Sequence, residues 1–191
     1  SEAGTPQGGV ISPLLANIAL HGLETALGES LPKSRKPAVI RYADDFVILH
    51  EDLPTMLQLK ERAEAWLTNV GLNLKAAKTR ITHTLTQHEG NVGFDFLGFT
   101  VRQFPMSKRH ARVPPGCGFK TFIKPSKASQ QRHLAEMADV IHKHRGSNQT
   151  ALLTTLNPKV RGWTNYYRAC TAKKVFDRMD SQLHWKLLRW A

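Results

Sequence analysis

The sequence predicts an α+β chain in which an antiparallel sheet with packed helices is followed by an all-α bundle. Three observations carry this. Ala38 to Tyr42 and Phe46 to Leu49 are apolar, β-forming runs that meet at Ala43-Asp44-Asp45, the pattern of a tight hairpin between buried strands. From residue 121 onward the apolar residues recur at helical spacing. Between these parts Pro105, Pro114 and Pro115 with Gly116 and Gly118 break both patterns. The expected division is a sheet-bearing part over 1–104, a basic Pro/Gly-rich linker over 105–120, itself able to form a β-excursion, and a helical part over 121–191.

In chain order, Gly4 to Gly9 is a Gly/Pro-rich loop able to approach a ligand closely. Ser12 suits an N-cap and Pro13 a first helical position, and Leu15, Ile18, Ala19, Leu23 and Ala26 form the stripe of a packed helix. After the hairpin, Asp52 caps a helix with Met56, Leu59, Ala63, Trp66, Leu67 and Val70 on its apolar face, and Gly71 stops it. Leu72 to Leu74 and Ile81 to Leu85 read as short strands. Phe94 to Val101 reads as a further strand, in which Gly98 implies close backbone approach. Pro125-Ser126 starts a helix with Leu134, Met137, Ala138 and Ile141 on one face. Asn148 starts another with Leu152, Leu153 and Leu156, which Asn157-Pro158 should kink or break. Val175, Phe176, Met179, Leu183, Leu187 and Trp190 stripe the last helix.

The 191 residues carry a formal charge of +12, which points to a polyanionic partner. Residues 1–120 hold 14 Lys/Arg and 11 Asp/Glu; residues 121–191 hold 13 and 4, so the C-terminal part is the expected nucleic-acid grip. Its candidate phosphate ligands are Lys127, Arg161, Arg168, Lys173, Lys174 and Arg178. Cys117 and Cys170 form no CxxC pattern, which argues against structural zinc and for a reducing compartment, a cytoplasm or an organellar matrix. The nine histidines read as surface residues. No run has the length of a membrane helix.

Asp44 and Asp45 are the candidate metal site. Two carboxylates forced together on a rigid turn repel, and a divalent cation relieves that repulsion. Mg²⁺ prefers a few carboxylate oxygens plus substrate phosphates, so the chemistry suggested is two-metal phosphoryl or nucleotidyl transfer.

Tyr42-Ala43-Asp44-Asp45 resembles the Tyr-x-Asp-Asp box of reverse transcriptases. Thr5-Pro6-Gln7-Gly8-Gly9-Val10-Ile11-Ser12-Pro13 is similar to the block preceding that box in group II intron reverse transcriptases. Gly71 to Leu74 with Lys78-Thr79 resembles the next block, and Phe94 to Phe99 the primer-grip block. Pro125-Ser126-Lys127 and Leu156 to Tyr167, with Arg161-Gly162-Trp163 and Asn165-Tyr166-Tyr167, resemble the maturase-specific thumb, or X, domain. Five blocks in order cover nearly the whole chain.

The resemblance implies the later part of a right-hand polymerase palm followed by the thumb. It gives Asp44 and Asp45 to two Mg²⁺ ions, Lys78 to the leaving pyrophosphate, Gln7, Gly8 and Tyr42 to the nucleotide and template, and Leu97 and Gly98 to the primer end. The implied partners are intron RNA, an RNA template, a DNA primer and dNTPs. In the family the fingers and the strand bearing the first metal-binding Asp precede the Thr-Pro-Gln-Gly block. The chain also opens inside that block without an initiator Met. The expectation is therefore a fragment, inactive alone as a polymerase. The competing readings are a splicing cofactor that needs no polymerase, and a related reverse transcriptase of host defence or fused to a CRISPR integrase.

Overall fold

The computed structural model describes residues 11–29, 31–106 and 118–191. The chain forms two compact units, Ser1–Ile81 and Thr82–Ala191. This boundary does not coincide with the expected linker. Pro105 and Phe119, near the ends of the 105–120 segment, are register partners in one sheet.

The first unit contains α1 (Ser12–Ala19), α2 (Leu23–Gly28), a 3-10 turn (Lys33–Arg35), β1 (Ala38–Tyr42), β2 (Asp45–Leu49) and α3 (Leu53–Asn69). The single helix expected after Ser12 is two, because Gly22 adopts φ 91° between them. The N-cap is Ile11, and α1 buries none of its residues: Leu14, Leu15 and Ile18 are exposed. The first helix is therefore not packed as its stripe predicts. Leu23, Leu27, Leu59 and Ala63 are the buried core, with Val39, Phe46, Ile48 and Trp66 packed against it. Burying each large side chain contributes about 1.5–3 kcal/mol.

α3 begins and ends as its sequence dictates. The Asp52 carboxylate accepts from the Thr55 backbone N–H at 2.9 Å and from its hydroxyl at 2.5 Å. At the other end Gly71 takes φ 77°, the Leu72 N–H donates to Leu67 O and the Gly71 N–H to Thr68 O. That bond occupies the Leu72 amide, and residues 72–74 form no strand. Residues 81–85 form none either. The His83 ring Nδ1 accepts from the backbone N–H groups of Leu85 and Thr86, diverting those amides from a ladder, and the segment keeps only single backbone bonds, from the Gly93 N–H to His83 O and from the Gln103 N–H to Thr84 O.

The second unit contains β3 (Phe94–Phe96), β4 (Phe99–Pro105), β5 (Phe119–Pro125), α4 (Lys127–Lys143), α5 (Gln149–Tyr167) and α6 (Lys173–Trp190). The antiparallel order is β3-β4-β5. The strand expected over 94–101 is a hairpin, since Phe96 pairs with Phe99 across Leu97-Gly98. Ser126 and Asn148 cap α4 and α5 through the Ser129 and Ala151 N–H groups. Met137, Val140, Ile141, Leu152 and Leu156 form the core, flanked by Val160, Leu183, Leu187 and Trp190.

Two expectations fail here for tertiary reasons. α5 runs through Pro158 unbroken. Leu152 and Leu156 before it and Tyr167 after it are all buried, which offsets the roughly 3 kcal/mol an interior proline costs. The buried face of α4 is Gln130, His133, Met137, Val140 and Ile141, rotated from the purely apolar stripe. His133 is thus interior, not a surface histidine. It stacks on Trp163 at 4.7 Å, and burial lowers its pKa. Among the described residues no helix is long and apolar enough to cross a membrane.

Candidate active site and nucleic-acid interface

The first-unit hairpin presents the acidic pair. β1 and β2 pair from Ala38↔Leu49 to Tyr42↔Asp45, leaving Ala43-Asp44 as a two-residue loop. A two-residue loop must turn back sharply, and Ala43 does so at φ 53°. That conformation costs a non-glycine residue about 1–2 kcal/mol, the kind of local strain found at functional sites. One face of the hairpin carries Val39, Phe46 and Ile48 onto the core. The other carries Ile40, Tyr42 and Asp45, all exposed, so these strands are half-buried and not buried on both faces as expected. Arg41 ties the turn to α1: its Nη1 donates to Asn17 Oδ1 at 2.8 Å, with the Ala43 carbonyl at 3.5 Å.

Asp44 and Asp45 are exposed, and among the described residues neither carboxylate has a hydrogen-bond or ion-pair partner. This fits the donor set of Mg²⁺, which takes one or two protein carboxylates beside water and substrate phosphates. No cluster of three or more His, Cys, Asp or Glu able to hold a metal occurs among the described residues. Lys78 is exposed in a turn whose amides, its own and that of Thr79, donate to Lys75 O.

The Leu97-Gly98 turn lies in the second unit and is held by its helices. Both residues have positive φ, 49° and 80°, as a type I′ turn requires. The Tyr166 hydroxyl donates to Leu97 O at 2.9 Å and the Tyr167 hydroxyl to Gly98 O at 3.1 Å. The Tyr167 oxygen also lies 2.6 Å from Ser129 Oγ, which receives the Trp163 indole N–H at 3.4 Å. The proton order follows. The Gly98 carbonyl can only accept and the indole can only donate, so Ser129 donates to Tyr167. A Cβ on Gly98 would stand 2.5 Å from the Tyr167 hydroxyl oxygen, so the close approach read at this glycine is to a side chain of its own unit. Phe99 packs on both tyrosine rings, at 5.2 and 4.8 Å.

The charge is segregated. The first unit holds 9 Lys/Arg and 9 Asp/Glu, the second 18 and 6, so the whole excess lies in the second. Lys127, Arg161, Arg168, Lys173 and Lys174 are exposed on α4, α5, the end of α5 and the start of α6. Arg178 differs. Its guanidinium donates to Gln130 Oε1, and the Gln130 amide donates to Pro125 O at 2.7 Å, so Arg178 also joins α6 to α4. Gln7 and Gly8 lie outside the described residues, as do Lys108, Arg109, His110, Arg112 and Cys117.

The family model "Reverse transcriptase (RNA-dependent DNA polymerase)" matches residues 1–101, and "Group II intron, maturase-specific domain" matches residues 130–191. The chain belongs to the group II intron reverse transcriptases/maturases. Protein YkfC of Escherichia coli (strain K12) is 34% identical over 128 residues, covering 51% of this chain and 32% of that protein. The match thus spans about a third of the length of this relative. The maturase-specific match includes Tyr166 and Tyr167, whose contacts with the Leu97-Gly98 turn sequence spacing alone does not reveal, and Trp163, which reaches Tyr167 and Ser129. The signal was the Tyr-Tyr pair itself, two hydroxyl donors side by side in one helix.

Proposed function

We propose that this reverse transcriptase chain carries the Asp44–Asp45 part of an RNA-directed DNA polymerase centre together with a surface that grips intron RNA for splicing and retrohoming. The first-unit hairpin is palm, and α4 to α6 are thumb. The observation that carries the reading is the pair of exposed carboxylates, without partners among the described residues, at a strained hairpin tip in a segment matching the reverse transcriptase family.

In the reaction a primer 3′-hydroxyl oxygen bonds to the α-phosphorus of a dNTP. The bond from that phosphorus to the oxygen bridging the β-phosphate breaks, pyrophosphate leaves, and the hydroxyl proton passes to solvent. Mg²⁺, when bound, supplies charge neutralisation at the attacking and leaving oxygens. Asp44 and Asp45 would hold the ions, and Lys78 would neutralise or protonate the pyrophosphate. Tyr42, on the Asp45 face of the hairpin, borders the nucleotide with Gln7 and Gly8. The Leu97-Gly98 turn, with its carbonyls fixed by two tyrosines, supports the primer end.

The test is primer extension on an RNA template with Mg²⁺ and dNTPs, using this chain with whatever flanking sequence its gene encodes. Asp44→Ala should lower cDNA synthesis by at least about 10³-fold, the worth of several kcal/mol of metal assistance. RNA affinity should persist in that variant, because the charge excess is in the other unit. Unchanged cDNA yield removes Asp44 from the centre.

The maturase-specific match and the charged second unit also favour a second reading, a splicing cofactor whose polymerase is dispensable. Full splicing by Asp44→Ala would support it. Intron RNA structure around the gene fits either of these readings, and a CRISPR array there would point instead to an integrase-linked enzyme.

A further inference from the structure

The β4–β5 ribbon has a face unlike any other among the described residues. Its register sets Thr100 opposite Lys124, Arg102 opposite Phe122 and Phe104 opposite Lys120. Alternation puts all six side chains on one side. The two phenyl rings meet edge to face at 5.5 Å. Arg102 lies over Phe104 at 4.7 Å and Lys120 over Phe122 at 5.3 Å, while Lys124 stands 5.6 Å from the first ring and 5.2 Å from the second. All three cations are exposed, and among the described residues none forms an ion pair. Asp95, opposite Thr100 on β3, is the acid of this face, and its Oδ1 is occupied by the Thr100 hydroxyl at 2.5 Å.

A solvated sheet face needs no aromatic rings, and a core face tolerates no unpaired cations. The combination of π surfaces and clustered positive charge matches a polyanion whose units also carry flat aromatic groups. Single-stranded RNA has both. In duplex RNA the bases are stacked on one another and offer no free face to a ring. We propose that the face formed by Arg102, Phe104, Lys120, Phe122 and Lys124 binds single-stranded RNA. Its cations meet backbone phosphates, and its rings form a platform for unstacked bases. The inference rests on the reading of the chain as an RNA-binding protein, and adds a site apart from the basic residues of α4 to α6.

The experiment measures fluorescence anisotropy of the 191-residue chain with an unstructured RNA of about 12 nucleotides, within the usual range for such sites, and with a blunt duplex of the same length, over a series of salt concentrations. Two variants keep the strands: Phe104→Leu with Phe122→Leu, and Arg102→Gln with Lys120→Gln and Lys124→Gln. The leucine pair should weaken single-strand binding by about 10-fold or more, the loss of one stacked base, and leave duplex binding unchanged. The glutamine triple should lower the slope of log affinity against log salt by about 2, because each phosphate that a cation neutralises on a single strand accounts for about 0.7 of that slope. Crosslinking of the unaltered chain to a 5-iodouridine-containing strand, mapped by mass spectrometry, should mark β4 or β5, and does not depend on any variant folding. Equal loss on both RNAs, or crosslinks confined to α4–α6, overturns the proposal while leaving the chain an RNA binder. Failure of the unaltered chain to bind either RNA overturns the proposal and the RNA-gripping part of the functional reading together.

Discussion

Replacing Gly98 with Ala should destabilise the second unit by about 2–4 kcal/mol, and the cost should depend on one oxygen atom 69 residues away. Two parts make up the figure. At φ 80° a methyl-bearing residue costs about 1–2 kcal/mol. The new methyl would also stand 2.5 Å from the Tyr167 hydroxyl oxygen, so that group must move. Tyr167 is only 3% exposed and packed among Phe99, Trp163 and Tyr166. Moving it breaks its bonds to Gly98 O and Ser129, which adds about 1–2 kcal/mol. Urea unfolding followed by far-UV circular dichroism, which reports mainly α4 to α6, should show the midpoint falling by about 1–2 M for an m-value near 2 kcal/mol/M. Tyr167→Phe removes the obstructing oxygen, and the ring carbon behind it lies 3.7 Å from the methyl, an ordinary contact. In that background Gly98→Ala should cost only its backbone share, so the double variant should be more stable than additivity predicts by about 1 kcal/mol or more. Strict additivity, or a midpoint shift under about 0.3 M for Gly98→Ala alone, would refute the account of this turn.

Other expectations follow from single residues. Ala43→Gly should be neutral or stabilising by up to about 1 kcal/mol, because it removes the positive-φ penalty, whereas Ala43→Val should destabilise the hairpin by about 2 kcal/mol; thermal melts of the two variants check this. Hydrogen bonds from the Thr55 hydroxyl and amide hold the Asp52 pKa below its ordinary 3.8. The cap therefore contributes fully above pH 3.8 and is lost as pH falls from there through the lowered folded value; Asp52→Asn should flatten that part of a stability–pH curve. Burial likewise lowers the pKa of His133 below 6.5, so the folded unit holds it neutral. Stability should fall as pH drops below 6.5 and level off beneath the folded pKa. His133→Phe, which keeps a ring against Trp163, should abolish that step in denaturant midpoints measured from about pH 5 to 8.

Local signals set much of this chain. The apolar runs on either side of Ala43-Asp44-Asp45 define the hairpin, because two strands joined by two residues can only pair antiparallel. Asp52, Ser126 and Asn148 mark helix starts and Gly71 a helix end, since each acts on amides or carbonyls within about four residues. The Val175, Met179, Leu183, Leu187 and Trp190 stripe is legible for the same reason. The acidic pair of the candidate site is thus placed by sequence, but its setting on a strained loop with one open strand face is not. What tertiary structure decided involves partners remote in the chain. A hairpin at Leu97-Gly98 is an improbable turn by composition, because leucine resists positive φ, and two tyrosines from α5 fix its carbonyls. Gln130 and His133 look like solvent residues until Arg178, Pro125 and Trp163 are brought to them. Pro158 breaks an isolated helix, but not one whose buried side chains on both sides of it are held in the same core. Periodicity and capping act over a few residues. The burial of polar groups and the tolerance of strained backbone depend on atoms that only the folded chain brings within reach.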